Sequence, residues 1–211
     1  MTTADVKVTP GAGANVATYS ITEDAETKQL QRIVASDSSG NEGGKIVGIG
    51  AVVSANFTRP ANTTGYASGG LVANSTTAAS VVALSWSTAA RIAGNPAFIT
   101  RARLKTSSTS VTNASFRLHL YAADPAASTG ITNGDNGAWL TKHASYLGSI
   151  DIIVDKAFSD AAAGQGAPSV GSFIEFIPAS GTTIYGLLEA RAAYTPTSSE
   201  VFTVELEISQ N

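Results

Sequence analysis

The sequence predicts an all-β fold: an antiparallel β-sandwich or barrel over residues 46–211, preceded by an extended polar arm over residues 1–45. Three observations carry this. From Ile46 onward, roughly eight β-type runs follow one another, mostly separated by Gly, Pro, Asn, Asp and Ser clusters. Apolar residues make up 43% of the 211 residues and charged residues only 14%. That is enough for a core but too few charges for salt-bridged surface helices. The stretch from Met1 to Lys45 is punctuated by glycine and thin in apolar side chains, so it is expected to order itself only against something else.

Taken in order, "KIVGIGAVV" (Lys45–Val53) comes first, and its glycines predict a bent or bulged strand. "VVALSWS" places Val82, Leu84 and Trp86 on one face at period two, which puts Trp86 in the core. In "AFITRARLKTS", Phe98, Thr100, Ala102 and Leu104 oppose Ile99, Arg101, Arg103 and Lys105, a buried row against a solvated cationic one. "SFRLHLYAAD" sets Phe116, Leu118 and Leu120 against Arg117, His119 and Tyr121. "YLGSIDIIVD", "SFIEFIPAS" and "TTIYGLLEARAAY" follow as further strands. In "EVFTVELEIS", Phe202, Val204, Leu206 and Ile208 alternate with Val201, Thr203, Glu205 and Glu207.

Two interruptions read as loops. "ADPAASTGITNGDNGAWLTKHAS" (Ala123–Ser145) carries the turn chemistry of Asp124-Pro125 and Asn133-Gly134, and its length predicts an excursion at a sheet edge. "SDAAAGQGAPSVG" allows a short helical turn that Gly164, Gly166 and Pro168 stop. In the arm, "EDAETKQLQRIVASD" fits two periods. A helix puts Asp24 four residues before Lys28, with Leu30, Ile33 and Val34 on one side. A strand alternates Leu30, Arg32 and Val34 against Gln31, Ile33 and Ala35. The strand, completed by a neighbour, is the reading adopted.

Composition excludes several classes. Without cysteine there are no disulfides, thiolate metal sites or thiol nucleophiles. A formal net charge of −3 offers no broad basic face for nucleic acid, and a pair such as Arg101 and Arg103 reads as a solvated strand face. No apolar run approaches the length of a membrane span. The opening "MTTADVKVTP" has neither a basic n-region nor an apolar h-region, which predicts cytoplasmic synthesis of a soluble product. The glycosylation-type sequons at Asn56, Asn62, Asn74 and Asn113 are then expected to be chance matches.

No catalytic, cofactor-binding or metal site is predicted, and no cofactor. Only His119 and His143 could serve as an imidazole base, the first as a surface strand residue and the second in the long loop. No G-x-S-x-G elbow is present. "NGDNG" (Asn133–Gly137), with Asp124 and Asp151, supplies oxygen ligands but not the spacing of a calcium loop, and turn formation explains it. Glu175, Glu189, Glu205 and Glu207 read as outward, solvated carboxylates rather than a glycosidase pair. "GAGAN" and "GIGAVV" lack the third glycine of a dinucleotide loop. Tyr66 and Trp139 are the candidate aromatic platforms of a carbohydrate-binding module.

"VKVTPGAGANVATYSITEDAETKQLQRIVASDSSGN", with its Q-R-hydrophobic strand and D-x-x-G turn, resembles the N-terminal segment of tailed-bacteriophage virion proteins. "RPxNTTGYxxGxLVANS" (Arg59–Ser75), "R-I-x-G" (Arg91–Gly94) and "NASFRLHLY" (Asn113–Tyr121) resemble phage capsid decoration or minor capsid proteins. The likeness covers most of Met1–Pro125. It implies a jelly-roll-like virion structural protein, a non-enzymatic decoration (cement) protein made in the host cytoplasm and placed on the capsid surface. Its implied partners are the major capsid protein and further copies of itself, with a trimer favoured, and neither nucleic acid nor membrane. The alternatives are a tail, collar or fibre-base component, and a carbohydrate-binding β-sandwich module.

Overall fold

The computed structural model describes the backbone of residues 17–23 and 26–32, together with residues 49–109, 114–125, 133–139, 144–168 and 173–210. The chain divides into two compact units, Met1–Val47 and Gly48–Asn211. In the first, β1 (Ala17–Glu23) and β2 (Glu26–Arg32) form a two-stranded antiparallel ribbon, with Glu23 opposite Glu26 and Ala17 opposite Arg32. The strand expected around Leu30 therefore pairs with the segment just before it in its own chain. Ile33, Val34 and Ala35 lie outside the described residues.

The second unit is all-β and antiparallel. Its strands are β3 (Ile49–Thr58), β4 (Gly70–Val72), β5 (Leu84–Trp86), β6 (Ala97–Thr106), β7 (Ala114–Tyr121), β8 (Tyr146–Ala157), β9 (Ala162–Gly166), β10 (Ile174–Phe176), β11 (Ile184–Ala190) and β12 (Val201–Gln210). The one helical segment among the described residues is a single 3₁₀ turn, Ala78–Ser80. The strands form one sheet in the order β3-β12-β6-β9-β8-β7-β11-β4, with β10 on β6 and β5 on β11.

The sheet curls on itself. β12 and β7 are four places apart in that order, yet Phe202 of β12 and Phe116 of β7 bring their ring centroids to 5.6 Å. Trp86, carried by β5 on β11, donates its indole N–H to the Val204 carbonyl of β12 at 3.2 Å. The concave side is the core, filled by Phe202, Val204 and Leu206, by Phe116, Leu118 and Leu120, and by Ile150, Ile152 and Val154. A smaller apolar cluster sits on the convex side, where Leu71, Ala73, Val81 and Ala83 cover Tyr121 and Leu187.

The alternation expected of β12 and of Phe116, Leu118 and Leu120 holds, and Trp86 is core as expected. Four expectations need correction. In β6 the register passes from Arg101 opposite Glu207 to Ile99 opposite Ile208, so Thr100 is an extra, bulged residue. The bulge turns Ile99 inward and leaves Phe98 and Thr100 outside the buried row. Val82 is exposed, because β5 begins only at Leu84 and the Val82 N–H is held by the Asn74 side chain at 2.8 Å. β3 shows no bulge over its described residues, pairing without a break from Ile49 to Thr58, while residues 45–48 of that segment lie outside the described residues.

The fourth correction is "SDAAAGQGAPSVG", which holds not a loop or helical turn but β9, bonded between β6 and β8. Its small residues are the reason it fits there. A Cβ at Gly164 would lie 2.0 Å from the Ile153 carbonyl oxygen, so only glycine lets the two backbones approach.

One buried polar knot ties the loops to the sheet. Arg59, just past β3, has no exposed side-chain surface, and neither, within 1%, does Asp135 from the long excursion. Arg59 Nη2 donates to Asp135 Oδ2 at 3.0 Å and to Asn62 Oδ1 at 3.1 Å, and Arg59 Nε donates to the Tyr66 hydroxyl at 2.9 Å. Asp135 Oδ1 accepts from the Tyr66 hydroxyl and from the Ala73 N–H. Burial and the Asp135 hydrogen bond push the Tyr66 hydroxyl well above its usual range, so it stays a donor.

Removing one partner of such a pair leaves an uncompensated buried charge. Arg59→Met is expected to lower the unfolding free energy by about 3–5 kcal/mol in urea titrations, and Arg59→Met/Asp135→Leu to recover part of it. A loss near zero for the single variant contradicts the account of the knot. Gly164→Ala is expected to cost about 2–4 kcal/mol. Gly50→Ala, where a Cβ meets nothing within 4 Å, should stay within about 0.5 kcal/mol. Equal losses at the two glycines would remove the steric argument for β9.

Candidate functional site

Cross-strand register on the convex side of β11, β7 and β8 sets three rows side by side. They are Glu189–Arg117–Asp151, Leu187–His119–Ser149 and Tyr185–Tyr121–Tyr146. A bulge at Leu147, between the Leu120–Gly148 and Tyr121–Tyr146 pairs, brings Tyr146 onto this face. Gly148 follows it at φ 140°, a conformation that side-chain-bearing residues rarely adopt.

His119 is the centre of this face. It is 8% exposed, not the surface residue expected, because Trp139 covers it in a stack with centroids 4.0 Å apart and planes 18° apart. His119 Nε2 lies 2.8 Å from Glu189 Oε2, and Nδ1 lies 3.2 Å from the Tyr146 hydroxyl. A carboxylate only accepts, so Nε2 carries the proton and Nδ1 accepts from Tyr146. Arg191 Nη1 donates to the other oxygen of Glu189 at 3.0 Å. Arg117 grips Asp151 with two bonds of 2.6 and 2.8 Å. Burial holds the His119 imidazole below its ordinary value, and the Glu189 hydrogen bond offsets this only in part. The Arg117 hydrogen bonds hold Asp151 below the usual carboxylate range.

Beyond Tyr146 the surface opens into a cleft of about 440 Å³. Tyr146, Gly148 and Ser149 of β8 line one side, and Phe173, Ile174 and Glu175 line the other. Tyr146 is 41% and Phe173 47% exposed.

The remaining predicted residues are dispersed. Tyr66 is 3% exposed and committed to the Arg59–Asp135 knot, so it is no platform for sugar. Trp139 is half-buried, spending one ring face on His119. Glu189 is buried, contrary to the outward reading, because Leu187, Trp139 and His119 crowd its side of the sheet. Glu175 is exposed as expected. Glu205 and Glu207 face outward, paired with Arg103 and Lys105 and with Arg101 and Arg103 respectively.

"NGDNG" forms the expected turn, docked by Asp135 N–H to Ser75 O at 2.7 Å and Asn136 N–H to Leu71 O at 2.8 Å. Asp135 and Asp151 are engaged by different arginines. Asn62 and Asn74 use their amides to bind Arg59 and Thr64, and Ser80 and Val82. His143 and Asn113 lie outside the described residues.

Reasoning from sequence missed Tyr146, Phe173 and the buried Glu200. Glu200 accepts from the Thr106 and Tyr194 hydroxyls and, at 2.9 Å, from the Thr197 N–H. The Thr106 hydroxyl lies 94 residues from Glu200, and a partner so far along the chain leaves no local signal.

The depressed His119 value has a sign. As pH falls below about 6.5, the unfolded chain takes up a proton that folded His119 refuses, so stability drops until the lower folded-state value is reached. Urea midpoints from about pH 8 to about pH 5 should fall, and His119→Gln should flatten that slope. An unchanged slope in the variant would show that His119 is not its source.

A scan against protein-family models finds no match to this chain, and a search of curated proteins finds no significant relative.

Proposed function

We propose that this chain is a non-enzymatic virion structural protein of a tailed bacteriophage, a decoration (cement) protein. It binds the outside of the capsid and stabilises contacts between major capsid subunits. On this reading the curled sheet is a jelly-roll-like body, and residues 1–45 are its extended anchoring arm.

The observation that carries the reading is the ribbon of β1 and β2. Among the described residues it is a sheet of two strands, and such a ribbon is marginally stable in water without a further strand or packing partner. Among the described residues each of its strands has one edge without a ladder partner. A capsid subunit can supply that partner, through main-chain hydrogen bonds to an open edge. Two further features support it. The convex cations Arg101, Arg103 and Lys105 are paired with Glu205 and Glu207, which leaves the row one net positive charge, too little to favour capture of a polyanion. The resemblance in Arg59–Ser75 falls on residues of the buried knot, so it belongs to the body of the fold. A trimer matches the local threefold positions of a shell, where several weak contacts become one avid attachment.

The test uses capsid shells of the virus, purified without this protein. Full-length chain is expected to co-sediment with them saturably and to raise their melting temperature. Chain lacking Met1–Lys45 is expected to lose most of that binding. Failure of the full chain to bind, or equal binding by the truncated chain, overturns the reading.

A further inference from the structure

We infer that the cleft between β8 and β10 is a binding site for a neutral saccharide. β10 is bonded to β6, and the β8–β9 ladder runs only from Ile153 to Ala157. Among the described residues, nothing ladders with β8 on that side over Tyr146–Ser149, so the sheet is split there. The split is the 440 Å³ cleft, a volume in the range that small-molecule sites occupy and suited to one or two sugar rings.

Its lips are aromatic, and its lining mixes the apolar Leu147 and Ile174 with polar groups. Tyr146 and Phe173 stand half-exposed on opposite sides, while the Ser149 hydroxyl and the Glu175 carboxylate lie in the lining. A pyranose has the matching chemistry: an apolar C–H face for a ring to cover, and a rim of hydroxyls for the polar groups.

Both rings are held before any ligand arrives. Phe173 packs edge-on against Phe98 at 4.9 Å, and Tyr146 against Tyr121 at 5.4 Å. The Tyr146 hydroxyl is anchored on His119 Nδ1, and His119 is itself fixed by Glu189 and Trp139. Fixed rings lower the ordering cost of binding. Glu175 selects the class of sugar, because a carboxylate in the lining repels an acidic one.

This inference is independent of the capsid reading, since that attachment is assigned to residues 1–45 and this site takes a soluble ligand. The test is saturation-transfer NMR and calorimetry on the full chain with glucose, galactose, N-acetylglucosamine, N-acetylneuraminic acid and an extended apolar peptide. At least one of the three neutral sugars is expected to bind with millimolar affinity and to receive saturation through the protein. Phe173→Ala should weaken that binding about tenfold, with the near-UV spectrum unchanged. Glu175→Gln, at an exposed position, should narrow the preference for neutral over acidic sugar. Val82→Ser, an exposed site on another part of the surface, should change nothing. Binding of none of the neutral sugars overturns the inference, as does preference for the acidic sugar, binding of the peptide alone, or an unaltered affinity in Phe173→Ala.

Discussion

Much of this fold hangs on one buried ion pair. Arg59 and Asp135 are 76 residues apart, and neither has solvent to fall back on. Around them gather Asn62, Tyr66 and the Ala73 N–H, so the end of β3, the turn before β4, the exit of β4 and the long excursion meet at one ion pair. A buried pair is weak evidence for stability as such, since a hydrophobic replacement is often neutral. What the pair supplies is position. A planar guanidinium with several fixed donors admits few arrangements of its acceptors, and the excursion carrying Trp139 is held by that geometry. Trp139 then covers His119, and His119 anchors Tyr146. The aromatic lip of the cleft is thus the far end of a chain of contacts that starts at Arg59.

What could be read beforehand was what periodicity encodes. β12 and β7 alternate cleanly because every second residue faces one core, and a period of two survives wherever the ladder is regular. The facing of β6 was misread where its ladder is not regular. Thr100 is one extra residue in β6, and it inverts the facing of everything before it in that strand. β9 was invisible because it is a strand by exclusion. Neighbouring backbones leave no room for side chains at Gly164 and Gly166, and Gly and Ala carry no β signal of their own.

The site was less legible than the fold, for a related reason. His119 looked exposed because alternation speaks of one face of a sheet and cannot tell what a loop later lays on the other. Tyr66 and Trp139 were both loop aromatics, and nothing local separates one that plugs a knot from one that roofs a histidine. Tyr146 and Phe173 came unannounced, since their meeting across a cleft depends on a bulge at Leu147 and on β10 joining β6 instead of β8. Long-range pairing of this sort is written in the register of strands, not in the residues beside it.

The chain has two tryptophans, and the fold gives them separate vocabularies. Trp86 is sealed in the concave core with its N–H on a strand carbonyl, so its emission reports whether the sheet is rolled. Trp139 lies flat on an imidazole beside the cleft, and a protonated imidazole quenches indole fluorescence. Its emission therefore reports the state of the convex face while the sheet stays closed. Replacing either one with phenylalanine leaves a molecule with a single built-in lamp, and the two halves of its behaviour become optically separable.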